Sequence, residues 1–159
     1  INHQHVQQKG ETMKKFILAT ITVAALSANA MEVGLNTFET ATSGGQHGLG
    51  VTLGGKVQGL NLTGGFSHAA GNRGFDRYTA TVGKNFVKEG NVTLGGQVGA
   101  AYINNLYSKD GAAVTAGLGA SVALSEKVSL GATIDHQFGS NSVAHSKGNI
   151  LAAGVKVGF

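Results

Sequence analysis

The chain has 159 residues, 13% of them charged and 6% aromatic, with 26 glycines and no proline, cysteine or tryptophan. Disulfide staples are therefore excluded, and no run after Ala30 approaches the roughly 18 apolar residues of a spanning helix. The formal charge of +4 falls to +2 over residues 31–159, where nine Lys/Arg face seven Asp/Glu without a basic stripe, so a nucleic-acid surface is excluded too.

In chain order, residues 1–12 (INHQHVQQKGET) read as upstream sequence ahead of the initiator Met13 and are set aside from the fold. Met13-Lys14-Lys15 is a positive start, Phe16 to Leu26 an apolar stretch, and Ala28-Asn29-Ala30 a small-residue site. Those three parts predict a signal peptide over 13–30, cut between Ala30 and Met31. Residues 31–159 are then one domain.

From residue 31 the hydrophobic period is two. The alternation predicts strands near 31–40, 47–55, 59–69, 77–87, 91–103, 112–124, 127–138 and 149–159. Each is close to the 9–11 residues that a tilted strand needs to cross a bilayer. The connections at 56–58, 88–90 and 125–127 are short and charged, while those at 41–46, 70–76, 104–111 and 139–148 are longer and polar. Such asymmetry marks the two rims of an outer-membrane barrel.

The two faces of these strands differ. One carries Val, Leu, Ile and Phe; the other is lined with Gly, Ala, Ser and Thr plus Asn36, Asn61, Thr63, Arg77, Thr79, Asn85, Gln97, Asp135 and Lys156. A soluble sandwich needs its large side chains inside, and the small polar face makes a poor core. The apolar face is expected outside, against lipid, and the small one inside a narrow barrel. Phe66, Tyr78, Tyr102 and Phe138 fall near the long-loop ends, and Phe86 and Phe159 near the short turns, as two girdles. Lys84 interrupts the apolar face close to one girdle, where it can snorkel.

With these features the chain resembles the small eight-stranded outer-membrane proteins of Gram-negative bacteria, the group of the OmpA barrel, OmpX and the opacity-type proteins. The resemblance covers the leader, the whole of 31–159 and the terminal aromatic. It implies an all-β, antiparallel, up-and-down transmembrane barrel in the outer membrane. It also implies that the stretch Ile150 to Phe159, with Val155, Val157 and Phe159, is read by the barrel-assembly machinery after periplasmic chaperones deliver the chain.

Function is less constrained. The glycine runs lack phosphate-loop spacing and open no helix. The lipid-A deacylase kind of small barrel resembles a Ser-His-acid arrangement with an H-x-S-N run. Here His145 and Ser146 are adjacent, Ser140-Asn141 stand too far from His136, and no acid follows Asp135. His47, His68, His136 and His145 lie near the long-loop rim without metal-ligand spacing. The expectation is a monomeric structural or surface-interaction protein without catalysis, cofactor or metal, embedded in outer-membrane lipids. A narrow polar channel is the alternative, and a secreted β-protein or a lipid-A-modifying barrel comes third. One ion pair is expected inside, between Glu32 on the first strand and Lys156 on the last.

Overall fold

The computed structural model describes residues 31–41 and 45–159. The expected leader with its cleavage position after Ala30, the upstream segment 1–12, and residues 42–44 of the first loop lie outside the described residues.

Eight strands follow in order: β1 (Met31–Ala41), β2 (His47–Val57), β3 (Leu60–Ala69), β4 (Phe75–Glu89), β5 (Val92–Asn105), β6 (Gly111–Ala123), β7 (Val128–Gly139) and β8 (Gly148–Gly158). Each pairs antiparallel with the next, and β8 pairs with β1, so the sheet closes into a barrel. Closure gives every strand a partner on both sides and leaves no open edge. The expected boundaries hold to within three residues.

The register explains the tilt. Cross-strand partners run from Val92 through Val122, Leu130, Val155, Leu35, Val51, Phe66 and Tyr78 to Tyr102, so one circuit returns ten residues further along β5. A stagger of that size on eight strands goes with a strand tilt of about 35–45°. All nine of these residues are apolar or aromatic and lie on the outward face of the alternation, Tyr102 being covered there by its neighbours. Leu35, Val98 and Leu118 are 64%, 60% and 59% exposed, values unsuited to contact with water but suited to lipid.

The turns at one rim are tight because their chemistry permits it. Gln58 and Gly59 both take positive φ (51° and 81°), the hand that a two-residue hairpin requires. Gly90, at φ 56°, opens the Gly90–Asn91 turn. Between β6 and β7, Ser125 Oγ accepts from the backbone N–H groups of Lys127 (3.3 Å) and Val128 (3.1 Å). One irregularity departs from strict alternation: the register slips between Asn85 and Val87 opposite β5, a bulge that leaves Phe86 outward and shifts the parity of the strand below it.

Candidate functional site: barrel interior and loop cap

At the short-turn end of the interior, Lys156 Nζ donates to Glu32 Oε1 at 2.8 Å. Their positions on β8 and β1 are diagonal, two residues apart in register, Gly34 facing Lys156 and Gly158 facing Glu32. Glycine makes the room. A Cβ on Gly54 would sit 3.2 Å from Glu32, and one on Gly34 would sit 3.3 Å from Lys156 Cγ. The side chains are 37% and 38% exposed, so water screens the pair. Its stabilisation is that of a surface pair, roughly 0.2–1 kcal/mol.

Above it, Asn61 donates to Asn85 at 2.9 Å. Gln97 Nε2 donates to Asp135 Oδ1 at 2.7 Å, and Thr133 Oγ1 reaches the other carboxylate oxygen at 3.5 Å. Arg77 Nε donates to Gln137 Oε1 at 2.7 Å. Arg77 and Asp135 are both buried, so each is held by an amide and offset by the other's opposite charge. Polar side chains lie across glycines on the neighbouring strand: Asp135 over Gly117, Asn36 over Gly50 and Gly154, Asn85 over Gly95. The glycines therefore mark filled space. Thr115 Oγ1 is buried in this layer without a hydrogen-bond partner.

The long-loop end is apolar inside. Phe38, Phe75, Ile103 and Ile150 pack with Ala69, Ala101 and Ala113, and the Phe38 and Phe75 rings meet at 5.9 Å between centroids. Segment 140–147 folds over this cluster. His145 stacks on Phe75 at 4.6 Å and 20°, its carbonyl accepts from Gln137 Nε2 at 2.7 Å, and Ala144 O accepts from Asn105 Nδ2 at 3.1 Å. Ser146 Oγ donates to the carbonyls of Ser140 and Val143, both at 2.8 Å. Burial pushes the His145 imidazole below its usual value; a hydrogen bond that the ring donates to the Arg73 backbone opposes this, and the Arg73 charge adds to the lowering. Asp110 braces the next loop, accepting from Asn105 N–H at 2.9 Å and Tyr102 OH at 3.4 Å.

A wall apolar outside, eight antiparallel strands in closed sequence order, and an interior filled by side chains together define the architecture, and solved structures share it. The N-terminal β-barrel domain of Pseudomonas aeruginosa OprF superposes with a TM-score of 0.69 at 16% identity, covering 83% of this chain and 98% of that one. The chain has the fold of the eight-stranded outer-membrane β-barrels. Neisserial surface protein A matches with a TM-score of 0.55 at 18% identity, over 82% of this chain and 96% of that one. The Yersinia pestis protein Ail, solved in a phospholipid bilayer nanodisc, matches with 0.56 at 13% identity, over 82% and 99%. At these identities the likeness is one of fold. No family model and no curated protein matches the sequence.

Within this outer-membrane-type barrel the residues singled out from sequence fall as follows. Glu32 and Lys156 come together as described. Val155 and Val157 face outward on β8, and Phe159 follows, 67% exposed, its N–H donating to Met31 O at 3.0 Å and so extending the β8–β1 seam. Met31 opens β1. Phe66 and Tyr78 pack at 5.2 Å, with Tyr102 next in register, as one arc of the upper girdle. His145 and Ser146 belong to the cap, and His136 points outward, bonding Asn149 at 2.7 Å. Two features escaped the sequence reading. Phe75, expected in the 70–76 loop, begins β4 and faces in; and the interior, expected small and polar throughout, is apolar at one end. The parity of Ile103 and Ile150 already placed them inside, and was the available signal.

Proposed function

We propose that the protein is a monomeric bacterial outer-membrane β-barrel with a structural or surface-interaction role and no catalytic or cofactor chemistry. The inversion of polarity across the wall carries this reading: large apolar side chains outside, charged and amide groups inside. Lipid is the solvent that such a wall suits. Export follows from the leader over 13–30, cut after Ala30, and insertion involves periplasmic chaperones and the barrel-assembly machinery. We assign recognition by that machinery to β8 with Val155, Val157 and Phe159, the strand that seals the barrel. Phe159→Ala is expected to lower the yield of folded protein in the outer membrane, and an unchanged yield removes this part.

The loops at 41–46, 70–76, 104–111 and 139–148 face outside and the short turns face the periplasm. Filling of the interior glycines supports a plugged barrel over the narrow-channel alternative. The cap supports no Ser-His chemistry, since Ser146 donates to two carbonyls and His145 stacks on Phe75. The test has two parts. The protein should fractionate with outer membranes and migrate differently on gels before and after boiling. Tags at Lys109 and Lys147 should be labelled on intact cells, and a tag at Glu89 should not. Migration unaffected by heat, or labelling at Glu89 alone, sinks the assignment.

A further inference from the structure

Near the long-loop end, three histidines on the outer wall stand opposite an oxygen-bearing side chain. His68 faces Asp76 across β3 and β4 and bonds it at 2.7 Å. His136 faces Asn149 across β7 and β8 and bonds it at 2.7 Å. Glu39 and His47 stand in the same relation across β1 and β2, yet among the described residues neither bonds the other or any third group. Beside them runs a shallow groove of about 650 Å³ along the β8–β1–β2 wall, bordered by Thr37, Glu39, His47, Leu49, Leu151 and Ala153. Thr37 pairs with both Leu49 and Ala153, and Glu39 with Leu151. The short Thr37 and Ala153 form a floor between leucine walls, with the carboxylate and the imidazole at the open top.

Glu39 is exposed at the rim of an apolar wall, at head-group level, where its carboxylate can accept from a charged donor. We propose that this groove binds one lipid whose head group carries a primary ammonium beside a phosphate, with an acyl chain along the Thr37–Ala153 floor. The inference rests on the reading that this wall faces lipid. Cross-strand neighbours hold their Cβ atoms about 4.5–5.5 Å apart, so one zwitterionic head group spans both side chains. The ammonium N–H groups donate to Glu39, and a ring N–H of His47 donates to a phosphate oxygen, both charge-assisted bonds. A choline head group has no N–H for Glu39. A phosphoglycerol head group brings a like charge to it.

The experiment uses the 31–159 barrel folded into nanodiscs of equal phosphatidylethanolamine and phosphatidylcholine with identical acyl chains. Lipids retained after release into detergent are counted by native mass spectrometry. The wild type is expected to keep one ethanolamine lipid about tenfold over choline lipid. Glu39→Gln and His47→Gln should each bring the ratio close to one while keeping heat-shifted migration. A wild-type ratio near one, or a ratio kept by either variant, overturns the site. The wild type also gives a second reading that needs no variant: retention should fall stepwise as the ammonium is methylated once, twice and three times, and a flat series overturns the proposal. Failure of the wild type to insert, seen as migration unaffected by heat, overturns the membrane reading itself and is thereby told apart from loss of the site alone.

Discussion

Glycine in this wall is a packing residue, and its effect depends on what stands opposite. Gly131 on β7 and Gly154 on β8 are cross-strand partners on the same interior face. A Cβ on Gly154 would meet the Leu35 carbonyl and lie 2.7 Å from Asn36 Cα, both on β1. A Cβ on Gly131 would meet nothing closer than Ala120 O at 3.5 Å. Gly154→Ala is therefore expected to lower stability by about 1–3 kcal/mol through strain at the β8–β1 seam, and Gly131→Ala to stay within about 0.5 kcal/mol. Urea unfolding of the vesicle-inserted protein compares the two, and equal effects would show that the seam relaxes. The Glu32–Lys156 pair is tested the same way: Glu32→Gln and Lys156→Met are expected to couple by about 0.2–1 kcal/mol at low salt and less at high salt. Coupling indistinguishable from zero would mean two independently solvated charges. Both positions were legible in the sequence, because period two assigns each residue its face. Which glycine is crowded was not, because crowding depends on the side chain across the strand gap.

Among the elements, the strands and the cap differ in how they are held. Each strand is locked on both sides by a backbone ladder, whereas segment 140–147 is tied down by side chains: Asn105 and Gln137 to its carbonyls, Phe75 to His145. A protonated His145 places a cation on an apolar ring next to Arg73. Because burial lowers the folded-state value, the closed cap binds the proton less readily than the open one. Its stability is complete above the free histidine value of about 6.5 and is lost as the pH falls through the lowered folded-state value. Amide protection over 143–146, corrected for intrinsic exchange, is expected to drop between pH 7.5 and pH 5. His145→Phe keeps a ring on Phe75 and should abolish that drop, and an undiminished drop in this variant would assign the response to another group. Alternation revealed the strands to within a few residues. It was blind to the cap, whose contacts join Phe75, Asn105, Gln137 and His145 from distant parts of the chain, and to the bulge at Phe86.

At the scale of the whole molecule, the stagger of ten residues per circuit decides what meets across the interior. The local pattern announces eight two-faced strands and hence a barrel with its apolar face outward, but the stagger appears only once the register closes. That is why Phe38, Phe75, Ile103 and Ile150, from β1, β4, β5 and β8, were not seen to form one cluster. The consequence concerns conduction. A water path would have to pass two barriers in series: this apolar cluster under the 140–147 cap, and below it the layer where Arg77–Gln137 bridges β4 to β7 and Gln97–Asp135 bridges β5 to β7. An eight-stranded wall encloses a space about as wide as the side chains that fill it, and here the glycines that widen it are covered by Asn36, Asn85 and Asp135. The wild type is therefore expected to show no stable conductance steps in planar bilayers. Phe75→Ala thins the first barrier and leaves the second intact, so it should be silent as well. Reproducible wild-type steps that disappear in Gly117→Trp would establish a continuous aqueous path beside Asp135 and replace the plugged interior with a channel.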